Sequence, residues 1–149
     1  MKKVGDYRKI MGVTKTAGLD ELKTIYRNFM KEFHPDKFHG NDELLKEAEH
    51  KSKLIIESYH FLVSIAPETI AKTLPEYTLT ITTSAIADIK YQGTTLRIDF
   101  LDGSGYEYFD VPRNTYVKLV NADSQGRFGR RHIYSSFTYR NVAKAAMVV

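Results

Sequence analysis

The sequence predicts an α+β chain. An antiparallel helical hairpin occupies residues 1–66, residues 67–80 form a linker, and residues 81–149 form a small antiparallel β-sheet with one helix. Three observations carry this prediction. Apolar residues before Ala66 recur at three- and four-residue steps, whereas those after Ile81 recur at two-residue steps. The basic residues also change kind: ten Lys and two Arg precede the boundary, and four Lys and six Arg follow it. Tyrosine is skewed the same way, three against seven.

A short amphipathic piece, Tyr7 to Met11, lays Tyr7, Ile10 and Met11 on one side. Gly18 is the expected N-cap of the first long helix, and Asp20 and Glu21 in its first turn face the positive end of the dipole. Leu22, Ile25, Tyr26, Phe29, Met30 and Phe33 form one face of that helix. Lys23, Arg27 and Lys31, four residues apart, stack in a basic stripe. Pro35 ends the helix, because the residue before a proline is pushed out of the helical region. The second long helix starts at Asn41 or Asp42. It carries Leu44, Ala48, Ser52, Ile55, Tyr59 and Leu62 along one face to about Ser64. Two such helices joined by a short loop make an antiparallel pair.

Residues 67–80 contain two prolines and weak periodicity, hence the linker with at most one helical turn. From Ile81 the alternation of Ala85, Ala87 and Ile89, then of Leu96, Ile98 and Phe100, predicts strands. Gln92-Gly93 and Asp102-Gly103-Ser104-Gly105 supply the turns between them. A third strand, Tyr106 to Val111, ends at Pro112, which suits the first position of a helix through Tyr116, Leu119 and Val120. Residues 123–132 read as an irregular, arginine-rich segment, and Ile133 to Tyr139 as a last strand.

Composition excludes several classes. The chain of 149 residues is 42% hydrophobic with no cysteine, so it has no disulfide framework, thiolate metal site or cysteine nucleophile. No stretch approaches the roughly 20 apolar residues of a membrane span, so no membrane partner is expected. Met1-Lys2-Lys3 is followed by Gly5-Asp6-Tyr7-Arg8-Lys9 instead of an apolar run, which makes the cytoplasm the expected compartment. Net charge is +4, too mild to imply a polyanionic partner by itself. Ser135, Ser136, His132 and Asp123 supply catalytic residue types, but no nucleophile elbow, P-loop or paired-metal spacing frames them, so no enzymatic activity and no cofactor are expected.

His34-Pro35-Asp36 stands in the loop between the two long helices. Read from the residues alone, it has three meanings. It is a capped, solvent-exposed turn, a weak metal cluster with His39, or a recognition loop beside the basic stripe. Its setting decides between them. With Asp6-Tyr7 and Ile10-Met11-Gly12-Val13 upstream, residues from Gly5 to about Ser64 resemble the J-domain, by which DnaJ-type co-chaperones engage DnaK-type heat-shock chaperones. The resemblance implies that His34, Pro35 and Asp36 trigger ATP hydrolysis on that partner, and that Tyr26, Lys23 and Arg27 face it. A basic stripe supplies steering and register, and Asp36 is a carboxylate suited to a partner arginine. Glu32 and Asn28 stand where many members of that family carry bases. Ser52 stands at a usual aromatic position, which implies looser packing, and the family's fourth helix is not recognisable in residues 67–77.

In the second half, Tyr106-Glu107-Tyr108, Val111-Pro112, Ser124-x-Gly126-Arg127-Phe128 and Arg131-His132-Ile133 resemble the KTSC domain, over Ser84 to about Val142. Arg130 and Gly129 depart from that family's usual residues. Bottom-up, Arg127, Arg130, Arg131, His132 and Arg140 with Tyr106, Tyr108, Phe128, Tyr134 and Tyr139 combine guanidinium and aromatic groups, a mixture suited to phosphate contact and base stacking. The same residues also fit a protein surface, or a strand face packed on a helix. The sequence therefore predicts a co-chaperone whose second domain targets it or binds a client. The alternative is an RNA- or nucleic-acid-binding adaptor using the arginine-tyrosine surface.

Overall fold

The computed structural model describes residues 2–142. The described chain divides into two compact units, Lys2–Thr69 and a second that begins at Ile70.

The first unit is built on α1 (Val4–Met11), α2 (Leu19–Phe33) and α3 (Asp42–Ser64), with a 3₁₀ turn at Pro35–Phe38. Both α1 and α2 pack on α3. The core comprises Val4, Met11, Leu22, Ala48, Ile55, Phe61 and Leu62, each buried. Leu22 is 1% exposed, so its burial contributes on the order of 2 kcal/mol. Tyr7 stacks on Phe61 with ring centroids 4.2 Å apart, which holds α1 to α3. Gly12 ends α1 in the left-handed region at φ 68°, where a side chain would be strained. Asn41 caps α3, its Oδ1 accepting from the Leu44 N–H at 3.1 Å.

A helix α4 (Pro67–Thr83) follows, where the sequence predicts a linker. Its buried and half-buried positions are Thr69, Ile70, Thr73, Tyr77, Thr80 and Ile81, a regular helical stripe. Three of those positions are threonine, so a search for apolar residues alone sees no period. Pro67 sits at the start, where a missing N–H costs nothing, while Pro75 forgoes one bond inside the helix. Because α4 runs to Thr83, the first strand begins later than Ile81.

The second unit holds one four-stranded antiparallel sheet in the order β1 (Ile86–Gln92), β2 (Thr95–Phe100), β3 (Gly105–Tyr108), β4 (Tyr139–Val142). The predicted face of Ala85, Ala87 and Ile89 is altered by a register shift between Ile86 and Asp88. It places Ile86, Ile89 and Tyr91 against the core and leaves Ala87 exposed. β3 stops at Tyr108 instead of Val111, and Asp110 takes a positive φ of 58°. Pro112 caps α5 (Arg113–Val120) as the sequence predicts a helix there. The predicted irregular segment is a second helix, α6 (Gln125–His132), capped by the Ser124 hydroxyl, which accepts from the Arg127 N–H at 3.3 Å. The predicted strand Ile133 to Tyr139 is mostly a turn, which buries Ile133 and Tyr134, and β4 only begins at Tyr139. The fold class is α+β, with more helix around the sheet than the one predicted.

Candidate functional site

The α2 helix must end at Phe33 because Pro35 follows. His34 serves as C-cap of α2 and N-cap of the 3₁₀ turn, with Pro35 at the first position of that turn. Its Nδ1 accepts a hydrogen bond from the Asp36 backbone N–H at 3.2 Å. The Asp36 carboxylate lies 3.4 Å from the same nitrogen with its side chain 81% exposed. The turn therefore uses the histidine and the aspartate backbone to hold itself, and turns the carboxylate outward.

Lys23, Arg27 and Lys31 are exposed along α2, and no carboxylate lies within ion-pair distance of them among the described residues. Tyr26 is half-buried, its ring stacked on Tyr59 of α3 at 4.3 Å. The structure thus gathers Lys23, Tyr26 and Arg27 on the helix that ends in His34, Pro35 and Asp36. Among the described residues no group of three potential metal ligands forms, His34, Asp36 and His39 included.

Two contributors escaped the sequence reading. The Glu68 carboxylate accepts from the Leu19 N–H at 2.8 Å, capping α2 in place of a side chain on Gly18. The Ser52 hydroxyl donates to the Phe33 carbonyl at 3.3 Å, where looser packing was expected. Both are contacts across the fold, with no periodic signature in the chain.

The candidate surface of the second unit needs correction. Tyr106 and Tyr108 are 1% and 0% exposed and cannot offer a stacking platform. They form a core with Tyr77, Tyr134 and Tyr139. Within it the Tyr77 hydroxyl donates to the Tyr134 carbonyl at 2.7 Å and lies 3.0 Å from the Tyr108 hydroxyl, which must then be the donor to Tyr77. Arg140 is engaged with Glu107 at 2.7 Å. What stays exposed is Arg127, Arg130 and Arg131 on α6, with Phe128 half-buried against His132 at 4.8 Å. Beside them a cavity of 540 Å³ is lined by polar groups that include Thr83, Ser84, Ser124, Gln125 and Arg130.

A helical unit presenting a His-Pro-Asp turn is thus followed by a small α+β unit with a four-stranded sheet. Residues 6–68 match the family model of the DnaJ domain, and residues 82–137 match that of the KTSC domain. The chain carries these two domains in that order. It is 42% identical over 57 residues to the chaperone protein DnaJ of Thermosipho africanus, covering 38% of this chain and 14% of the relative. It is 47% identical over 58 residues to that of Mesomycoplasma hyopneumoniae, covering 38% and 16%. A DnaJ-like protein of Synechocystis is 33% identical over 135 residues, covering 89% of this chain and 39% of the relative. The chain thus spans only a fraction of the length of these relatives. Among the described residues no helix is long and apolar enough to cross a membrane.

Proposed function

We propose that this chain binds a DnaK-type chaperone through His34, Pro35 and Asp36, with Lys23, Tyr26 and Arg27 alongside, and stimulates its ATP hydrolysis. The observation that carries this reading is the outward carboxylate of Asp36, on a turn fixed by Pro35 and by the His34 Nδ1 bond. A rigid loop loses little entropy on docking, and an exposed carboxylate pairs well with a guanidinium. The stripe of Lys23, Arg27 and Lys31 favours encounter with an acidic surface. No group on this chain does chemistry in the scheme; binding shifts the partner toward its hydrolysing conformation. The second domain serves as a targeting or substrate-binding module, with α6 and the neighbouring cavity as its contact region.

Single-turnover ATP hydrolysis by a DnaK-type chaperone from the same organism tests the reading. The expected result is stimulation that His34→Gln reduces by about tenfold or more, a loss of ~1.4 kcal/mol or more of coupling. Glutamine keeps an acceptor in the side chain but lacks the ring that sets the turn. No stimulation by folded protein over a wide concentration range would overturn the reading. Arg127, Arg130 and Arg131 would then become the leading site, and RNA or another nucleic acid the leading ligand.

A further inference from the structure

We infer that Ser52 is a positioning residue for the His34-Pro35-Asp36 loop, an inference that rests on the function proposed above. Ser52 lies on α3 and is 4% exposed. Serines within helices commonly bond back to a carbonyl of their own helix, and Ser58 and Ser64 of α3 do so, to Leu54 and Phe61. Ser52 instead reaches across to α2 and donates to the Phe33 carbonyl at 3.3 Å.

That carbonyl is the last of α2. The Met30 carbonyl takes the His34 N–H, and the Lys37 N–H goes to the His34 carbonyl, so among the described residues the backbone offers the Phe33 carbonyl no donor. The adjoining residue acts on the same target: the Lys51 ammonium lies 5.2 Å from the centroid of the Phe33 ring, which also packs on Phe29 at 4.9 Å. Two consecutive residues of α3 therefore hold the backbone and the side chain of the residue just before His34. Pro35 ends α2, and the bond holds the last carbonyl of that helix in place, and with it the direction in which the loop leaves.

The consequence is a larger share of loop conformations competent to dock. A partner that binds only the competent form sees an affinity reduced by the fraction in that form. Removing one buried hydrogen bond should lower that fraction roughly three- to tenfold. Ser52→Ala should then raise the half-maximal concentration for ATPase stimulation by that factor while leaving the maximal rate at saturation unchanged. Ser52→Thr, which retains the hydroxyl, should restore it. Ser58→Ala is the control: it removes an equally buried hydroxyl of the same helix that bonds only within α3, and should leave the half-maximal concentration alone.

Backbone amide spectra of the full chain give a second readout that does not depend on the partner. The His34 and Asp36 signals should shift or broaden in Ser52→Ala but not in Ser58→Ala. An unchanged half-maximal concentration with unmoved loop signals would overturn the inference and leave the proposed function standing. So would an equal effect of Ser58→Ala. If the wild-type chain does not stimulate hydrolysis at all, the proposed function fails, and the loop signals alone decide whether Ser52 positions the turn.

Discussion

Gly129 has no room for a side chain. A Cβ there would overlap the Tyr134 ring and lie 2.6 Å from its hydroxyl oxygen. The ring cannot retreat, because Tyr134 is 2% exposed and its neighbours Tyr108 and Phe100 lie about it at 6.0 and 5.8 Å. Gly129→Ala should therefore destabilise the second domain by about 3 kcal/mol despite alanine's better helix propensity, the cost of overpacking exceeding the roughly 1 kcal/mol gained within a helix. The near-ultraviolet circular dichroism of the tyrosines, followed against urea, would read this; an unchanged midpoint would mean that the ring shifts freely. At this scale the sequence was legible where chemistry is local. Pro35 ends α2, and the second long helix starts at Asn41 or Asp42 as its residues predict. It was illegible where a residue's meaning comes from a distant neighbour. Tyr106 and Tyr108 carry a polar tip, and local sequence leaves open both an exposed platform and a strand face packed on a helix; it is Tyr77, Tyr134 and Tyr139, distant in the chain, that bury them.

The N-terminus of α2 shows how an element can be completed from elsewhere in the chain. Its cap, Gly18, has no side chain, and the Glu68 carboxylate stands in from the first turn of α4. The negative charge also suits the positive end of the α2 dipole. A side chain at Gly18 would meet the Glu68 oxygens at 3.0 Å, so glycine here makes space for the carboxylate that caps the helix. Glu68→Ala should cost about 1 kcal/mol, the usual effect of deleting a cap. Hydrogen exchange should show it as faster exchange of the Leu19 amide and its neighbours, with the amides at the centre of α3 unaffected; uniform acceleration across the unit would contradict a local cap. The same scale explains the two helices that the sequence concealed. In α4 the buried stripe includes Thr73 and Thr80, and Thr80 is buried because its hydroxyl donates to Asp102 at 2.7 Å. In α6, read from the sequence as an irregular segment, two of the eight residues are glycine, which weakens a helical signal. One of them is there to admit Tyr134, and helix formation rests on the Ser124 cap and on three bases at the C-terminal end, where the dipole favours them.

The change of composition near Ala66 reflects two different ways of building a core. The first unit relies on aliphatic and phenylalanine packing between helices. The second, with seven of the ten tyrosines, places five of them together, Tyr77, Tyr106, Tyr108, Tyr134 and Tyr139, with their hydroxyls satisfied in part by one another. This has a consequence for pH. Burial pushes the Tyr134 phenol up to about 12, with Arg130 partly offsetting it, and burial raises Tyr77 and Tyr108 further still. A phenol that ionises less readily when folded stabilises the fold as long as the unfolded chain keeps its own proton, which holds below about pH 10. Above that, ionisation favours the unfolded chain. The stabilisation from Tyr134 is lost between about pH 10 and about 12, and the deeper phenols keep drawing the equilibrium toward unfolding beyond it. Tyrosinate absorbance and far-ultraviolet circular dichroism, recorded together on raising pH, should show the core tyrosines ionising in one steep step that coincides with loss of the β signal. Gradual ionisation of all the tyrosines with the β signal intact would mean that the phenol cluster is open to solvent. A coincident step would establish that this core holds together only while its phenols stay neutral.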